Sequence, residues 1–201
     1  MCGGKYGGWK TPRQLTPING EPIVQRTIRL LQHYGIDDIA ISTNNDGFDD
    51  FGVEILHHDN AFGTVKEAYW LDAFYPTDEA VCYIFGDVVF TKQAIKTIID
   101  TETKDIEFFA SAPPFAPEYP KKWAEPFAFK VVNQNHFKQA IAEAKMYFNR
   151  GLFRRMPIAW ELWQVIKDTP RNKIDYTNYT VINDSTCDID TVRDADRWQN
   201  T

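Results

Sequence analysis

Three short stretches carry residue types at spacings that suit phosphate and metal chemistry. The first is Cys2-Gly3-Gly4-Lys5-Tyr6-Gly7-Gly8-Trp9-Lys10-Thr11-Pro12-Arg13-Gln14-Leu15, in which glycines alternate with the cations Lys5, Lys10 and Arg13. Glycine lets backbone N–H groups come close to an anion, and the cations neutralise it. The stretch is not a Walker loop, because no Gly-Lys-Ser/Thr follows at the required spacing, and it lacks the Gly-x-Gly-x-x-Gly dinucleotide pattern. Taken alone, it reads equally well as a pliable N-terminal tail. The second stretch, Tyr83-Ile84-Phe85-Gly86-Asp87, is an apolar strand ending in an acid. Ligands of parallel sheets lie beyond the carboxyl ends of strands, which would aim Asp87 at a site while Gly86 admits a close approach. The third is Cys187-Asp188-Ile189-Asp190-Thr191, where extended backbone puts Asp188 and Asp190 on one side. Carboxylates so placed call for a cation, and a hard divalent ion such as Mg²⁺ suits them. The plain alternative is that Asp190 or Thr191 caps a following helix.

These residues need a scaffold, and the hydrophobic pattern supplies one. Pro22 stands where a helix can start, Ile23, Thr27, Ile28 and Leu31 follow at helical spacing, and Gly35 closes the helix. Strands are expected at 36–43, 53–57, 80–85, 106–112, 127–132 and 179–182. Helices are expected at 64–74, 91–100 with Thr91 as cap, 135–148 and 158–166, with a short one at the C-terminus. Strands alternating with helices predict an α/β fold: a three-layer sandwich with a mostly parallel, Rossmann-like central sheet. The rhythm breaks at Pro113, Pro114, Pro117 and Pro120. The chain therefore reads as a single domain over 1–201 with an inserted lid on the acceptor side at about 113–178.

With 201 residues, 43% hydrophobic and 25% charged, the chain is globular and large enough to bury a substantial core. A net charge of −6 argues against a nucleic-acid or membrane-surface binder, so any anion site must be built locally. Cys2, Cys82 and Cys187 lack metal-ligand spacing and read as reduced thiols, and no signal or spanning segment is evident, which places the chain in the cytoplasm. His57 and His58 are adjacent and face opposite ways in a strand, so they do not form a joint metal site. Neither His33 nor His136 shows a partner. Arg150, Arg154 and Arg155 form a basic cluster that reads as surface or as an acceptor-phosphate site. Trp123, Glu125, Phe127, Trp160, Glu161 and Trp163 read as core or as the wall of an acceptor pocket.

Taken together, Gly3-Gly4 with Pro12-Arg13-Gln14-Leu15, the run Pro17-Ile18-Asn19-Gly20-Glu21-Pro22-Ile23, then Gly86-Asp87 and finally Ile189-Asp190-Thr191 follow a known order. The sequence resembles small nucleotidyltransferases of the GT-A-like α/β fold, which act on sugar phosphates, phosphocholine or molybdopterin. The resemblance implies that Gly3, Gly4 and Lys5 wrap the triphosphate and that Arg13 contacts phosphate. It implies that Asp87 and Asp190 hold Mg²⁺, that Gly86 lies against the nucleotide, and that Gly63-Thr64 contacts the base. Gly7 and Gly8 lie near the position where the family loop carries an Arg, with Lys5 or Lys10 as substitutes, and Arg13 stands where the family has Lys. The family also has a full strand leading into the loop, of which this sequence holds Met1 and Cys2. The reading is thus an N-terminally truncated member, in which an added apolar segment ahead of the loop is expected to raise stability and nucleotide affinity.

The reaction so implied is Mg²⁺-dependent transfer of a nucleoside monophosphate from a nucleoside triphosphate to a phosphorylated small-molecule acceptor, with release of pyrophosphate. Asp87, Asp190 and Arg13 are its catalytic residues. No nucleic acid or membrane partner is expected, and a homodimer is allowed. The rival readings are a GT-A glycosyltransferase using Asp188-x-Asp190 and a non-catalytic nucleotide-binding module.

Overall fold

The computed structural model describes residues 1, 9, 11–58, 69–113, 123–170 and 173–199. A 3-10 turn at Arg13–Leu15 leads into β1 (Pro17–Ile18), β2 (Glu21–Pro22) and α1 (Ile23–His33). Then come β3 (Ala40–Thr43), β4 (Glu54–His57), β5 (Val81–Ile84), β6 (Val88–Val89), α2 (Lys92–Asp100) and β7 (Ile106–Ser111). The remaining elements are β8 (Pro126–Val131), α3 (Gln134–Asn149), α4 (Ala159–Ile166), β9 (Thr180–Ile182), β10 (Cys187–Asp188) and α5 (Val192–Gln199).

The principal sheet has the order β5-β8-β7-β9, and β3 and β4 form a separate parallel pair. β8 runs antiparallel to both β5 and β7, while β7 and β9 are parallel. In this sheet β5, β7 and β9 therefore share one direction and β8 alone is reversed. Residues 113–178 thus do not all stand outside the sheet. β8 lies within it because Phe127, Phe129 and Val131 are wholly buried at a period of two.

Alternation along the strands explains the layers. Tyr83, Phe129 and Phe108 are register partners on neighbouring strands. Tyr83 stacks on Phe137 of α3 with centroids 5.5 Å apart, and Phe108 meets Trp160 of α4 edge-on at 4.8 Å. The next residue of β8, Lys130, faces the other way. Its ammonium donates to the carbonyls of Ile98, Ile99 and Thr101 at 3.2, 2.8 and 2.7 Å, closing the C-terminal end of α2. Helices consequently cover both faces, giving three layers.

Local chemistry sets the boundaries. Thr91 caps α2 by accepting from the Ala94 amide at 2.9 Å. Asn19 and Gly20 have φ of 52° and 81°, the left-handed pair that a tight hairpin between β1 and β2 requires. The expected strand at 36–43 shortens to β3, because Ile36 and Ile39 bond back to Leu31 and Asp37 in turns. The expected helix at 64–74 falls partly outside the described residues. Its described part is a 3-10 turn at Trp70–Ala73, where the Asp72 carboxylate accepts from the Tyr69 amide at 3.0 Å. Beyond β5, the Met1 amine donates to the Ile84 carbonyl at 2.7 Å and the Met1 carbonyl accepts from Gly86 at 2.9 Å, the bonding of a single parallel-strand residue beside Phe85. Among the described residues, Cys82 and Cys187 are free thiols, and no helix is long and apolar enough to cross a membrane.

Candidate functional site

β6 continues directly from Gly86-Asp87 and pairs antiparallel with β10, with Cys187 opposite Val89 and Asp188 opposite Val88. The ladder extends through the Ile189 amide, which donates to the Asp87 carbonyl at 2.9 Å. That register brings Asp190 beside Asp87 from the far end of the chain. Ile18, Ile23, Val89, Cys187, Ile189 and Ala195 form a small core beneath this ladder. Ile18 and Ile23 flank the β1–β2 hairpin, so their burial ties the turn bearing Arg13 to the strands bearing the acids.

The Arg13 guanidinium bridges both. Its Nη2 pairs with Asp87 Oδ2 at 2.8 Å, and its Nη1 pairs with Asp190 Oδ1 and donates to the Ile189 carbonyl at 3.2 Å. Burial by itself lowers the pKa of Arg13, but the charges of Asp87 and Asp190, the hydrogen bond to Asp190 and the charge of Asp188 outweigh it and raise the value. The Trp9 indole donates to the Asp190 carbonyl at 3.2 Å.

The helix cap after β10 is Thr191, whose hydroxyl accepts from the Asp194 amide at 3.3 Å. Asp194 in return accepts from the Thr191 amide at 2.8 Å. With that role filled, the Asp190 side chain turns to Arg13. Asp188 and Asp190 do share a side, and Glu125 joins them: each offers an oxygen, and the three lie within 4.8 Å of one another. Among the described residues, Asp87 and Asp190 pair with Arg13, and Asp188 adds its charge to theirs there. The convergence of carboxylate oxygens from Glu125, Asp188 and Asp190 fits a hard divalent cation such as Mg²⁺.

Gly86 lies in the turn after β5, where its amide donates to the Met1 carbonyl at 2.9 Å. Gly3, Gly4, Lys5, Gly63 and Thr64 lie outside the described residues. Of the acceptor-wall candidates, Phe127, Trp160 and Trp163 are buried in the main core. Glu161 caps α4 by accepting from the Ile158 amide at 3.1 Å and pairs with Arg155 at 2.6 Å. Trp123 is 47% exposed and its indole donates to the buried Glu125 carboxylate. The part Glu125 plays in the acid cluster has no signature in the sequence beyond an acid at the head of a strand. His136 does have a partner, the Asp105 carboxylate at 2.9 Å, remote in sequence and at the foot of α3.

The acids thus gather beyond the end of β5 in a three-layer α/β fold, the place where ligands of such sheets bind. The sequence matches the MobA-like NTP transferase domain family over residues 1–157, and the chain belongs to that family of nucleotidyltransferases. Among solved structures it is similar to a putative glucose-1-phosphate thymidylyltransferase from Bacillus anthracis, with 15% identity, a TM-score of 0.56, and coverage of 94% of this chain and 85% of that one. It is also similar to CTP:phosphocholine cytidylyltransferase from Streptococcus pneumoniae, with 15% identity, a TM-score of 0.51, and coverage of 95% and 90%. At such identity the likeness speaks for the fold. No curated protein matches the sequence.

Proposed function

We propose that this nucleotidyltransferase moves a nucleoside monophosphate from a nucleoside triphosphate onto a phosphorylated small-molecule acceptor, a sugar phosphate or phospho-alcohol, in a Mg²⁺-dependent reaction. The observation that carries this reading is the meeting of Asp87 and Asp190 on Arg13 beyond the end of β5. The names of the two similar structures support it, since each pairs a nucleotidyl group with a phosphorylated acceptor.

In this reading an acceptor phosphate oxygen attacks the α-phosphorus, the bond from that phosphorus to the bridging oxygen of the β-phosphate breaks, and pyrophosphate leaves. The acceptor is already anionic, so no general base is needed. Asp87 and Asp190 would hold Mg²⁺, with Asp188 and Glu125 close enough to Asp190 to join. The metal, when bound, supplies charge neutralisation at the reacting phosphate oxygens. Arg13 offsets charge on the phosphates through its forked donors, and Gly3, Gly4 and Lys5 cradle the β and γ groups. Gly86 leaves room for the nucleotide, and Gly63-Thr64 meets the base. The acceptor lies toward Trp123 and Glu125, where segment 113–178 borders the site. The setting is the cytoplasm.

The test is to incubate the protein with each common nucleoside triphosphate, a panel of sugar phosphates and phospho-alcohols, and Mg²⁺, and to measure pyrophosphate. Release that needs all three components is expected. Release of a nucleoside diphosphate from a sugar nucleotide instead would favour a glycosyltransferase, and binding without turnover would leave only a nucleotide-binding module.

A further inference from the structure

One oxygen of Asp87 and one of Asp190 are already engaged by the same side chain. One planar fork reaches both: Nη2 of Arg13 lies 2.8 Å from Asp87 Oδ2, while Nη1 holds Asp190 Oδ1 and the Ile189 carbonyl. A guanidinium has a fixed width and points all its donors outward, so while it lies between Asp87 Oδ2 and Asp190 Oδ1 no single ion can share those two oxygens. Mg²⁺ also needs oxygen ligands at about 2.0–2.1 Å in near-octahedral array, which places its double charge within a few ångströms of the fork. Two cations that close, in a site partly removed from water, repel strongly.

Resting on the reading of Asp87 and Asp190 as metal ligands, we propose that Arg13 and the divalent cation exclude one another at these carboxylates. Arg13 is a counter-cation of these two carboxylates in the metal-free protein. Metal binding releases its fork, and only the released fork meets the phosphates of the incoming nucleotide. The backbone is suited to such an exchange. Pro12 and the 3-10 turn at Arg13–Leu15 hold the main chain, with the Leu15 amide bonded to the Pro12 carbonyl at 3.0 Å, so the motion is confined to a long side chain. Substrate phosphate and metal are then coupled: nucleotide alone finds Arg13 engaged, and metal makes it available.

Titration calorimetry with Mg²⁺ alone, without nucleotide, tests the exchange. Arg13→Gln should bind Mg²⁺ at least about tenfold more tightly than the parent protein, a change of about 1.4 kcal/mol. The same variant should bind the Mg²⁺–nucleotide complex about tenfold more weakly. Opposite signs are the signature, because an Arg13 that merely supported the fold would weaken both. Arg13→Lys keeps the charge but not the fork, and should fall between the two for Mg²⁺. Mg²⁺ affinity in Arg13→Gln equal to or below that of the parent would overturn the proposal. Should Arg13→Gln fail to fold, the parent protein answers directly. Its Arg13 Nε–Hε resonance, assigned through Arg13→Lys, should move on saturation with Mg²⁺, and a resonance that stays in place would refute the exchange. Identical Mg²⁺ titrations of the parent, Asp87→Asn and Asp190→Asn would instead remove the metal-ligand reading itself and the exchange with it.

Discussion

Asp87 and Asp190 differ from the many other acids of this chain in what opposes them. Each faces Arg13 across an ion pair, with Asp87 about one-fifth exposed and Asp190 nearly half exposed. Replacing either carboxylate by its amide keeps the shape and removes the charge. Asp87→Asn and Asp190→Asn should each weaken Mg²⁺-dependent nucleotide binding by at least about tenfold, while the melting temperature moves by only a few degrees. Calorimetry of binding and of unfolding on the same samples gives both numbers, and undiminished nucleotide binding would end the assignment. Arg13→Ala should cut turnover more than it lowers the melting temperature, and Arg13→Lys should restore part of the turnover, since charge survives and the fork does not. The sequence singled out residues 13, 87 and 190 because phosphate and metal chemistry accept few side chains, and the structure brings the three side chains into contact. The place of Glu125 was not legible, because an acid at the start of a strand has many uses and only the position of β8 brings it to Asp188 and Asp190.

At the scale of elements, helix ends and strand faces account for the scaffold. Lys130 leaves the sheet on the side opposite Phe129 and closes three carbonyls of α2 and its cap. Lys130→Met keeps the apolar stem and removes the donors, which should destabilise the fold by about 1.5–3 kcal/mol, measured by urea unfolding, with nucleotide affinity unchanged. Tyr83, on the face that meets α3, gives a pH-dependent counterpart. Its hydroxyl donates to the Tyr75 carbonyl at 2.6 Å, and burial pushes the phenol up to about 12. The folded state then holds the proton more tightly than the unfolded state, whose phenol titrates near 10. The stability this group contributes is whole below about pH 10 and is lost as pH rises toward about 12. Tyr83→Phe should cost about 1 kcal/mol at neutral pH and flatten the alkaline decline, seen by comparing urea melts at about pH 9 and pH 11. A decline of the same steepness in both proteins would assign it to other groups.

The whole molecule depends on an aromatic core on the face of the principal sheet covered by α3 and α4. Phe129 is fully buried and lies 4.4 Å from Phe108 and 5.7 Å from Phe74, ring centre to ring centre. Phe129→Ala should cost about 3–5 kcal/mol, and a loss under 1 kcal/mol would mean that the core refills the space. A ligand that binds only the folded state raises the melting temperature. Mg²⁺ with a matched nucleoside triphosphate, at about a hundredfold over the dissociation constant, should add about 2.7 kcal/mol. Chelating the metal should abolish most of that gain, and a gain that survives chelation would mean that the nucleotide binds without metal.

The sequence by itself determined the order and kind of most elements, since helical and strand periods, Thr91 as a cap and Gly35 as a stop are local properties of neighbouring side chains. It also marked Arg13, Asp87, Asp188 and Asp190 as candidates, because few residue types suit phosphate or a hard metal. Tertiary structure alone decided that β8 runs reversed between β5 and β7, and that β6 pairs with β10 so that Asp87 and Asp190 close on one guanidinium. It likewise decided that Thr191, not Asp190, caps α5. Those outcomes depend on register between segments far apart in the chain, and register is settled by which side chains bury together. Local sequence carries no measure of that competition.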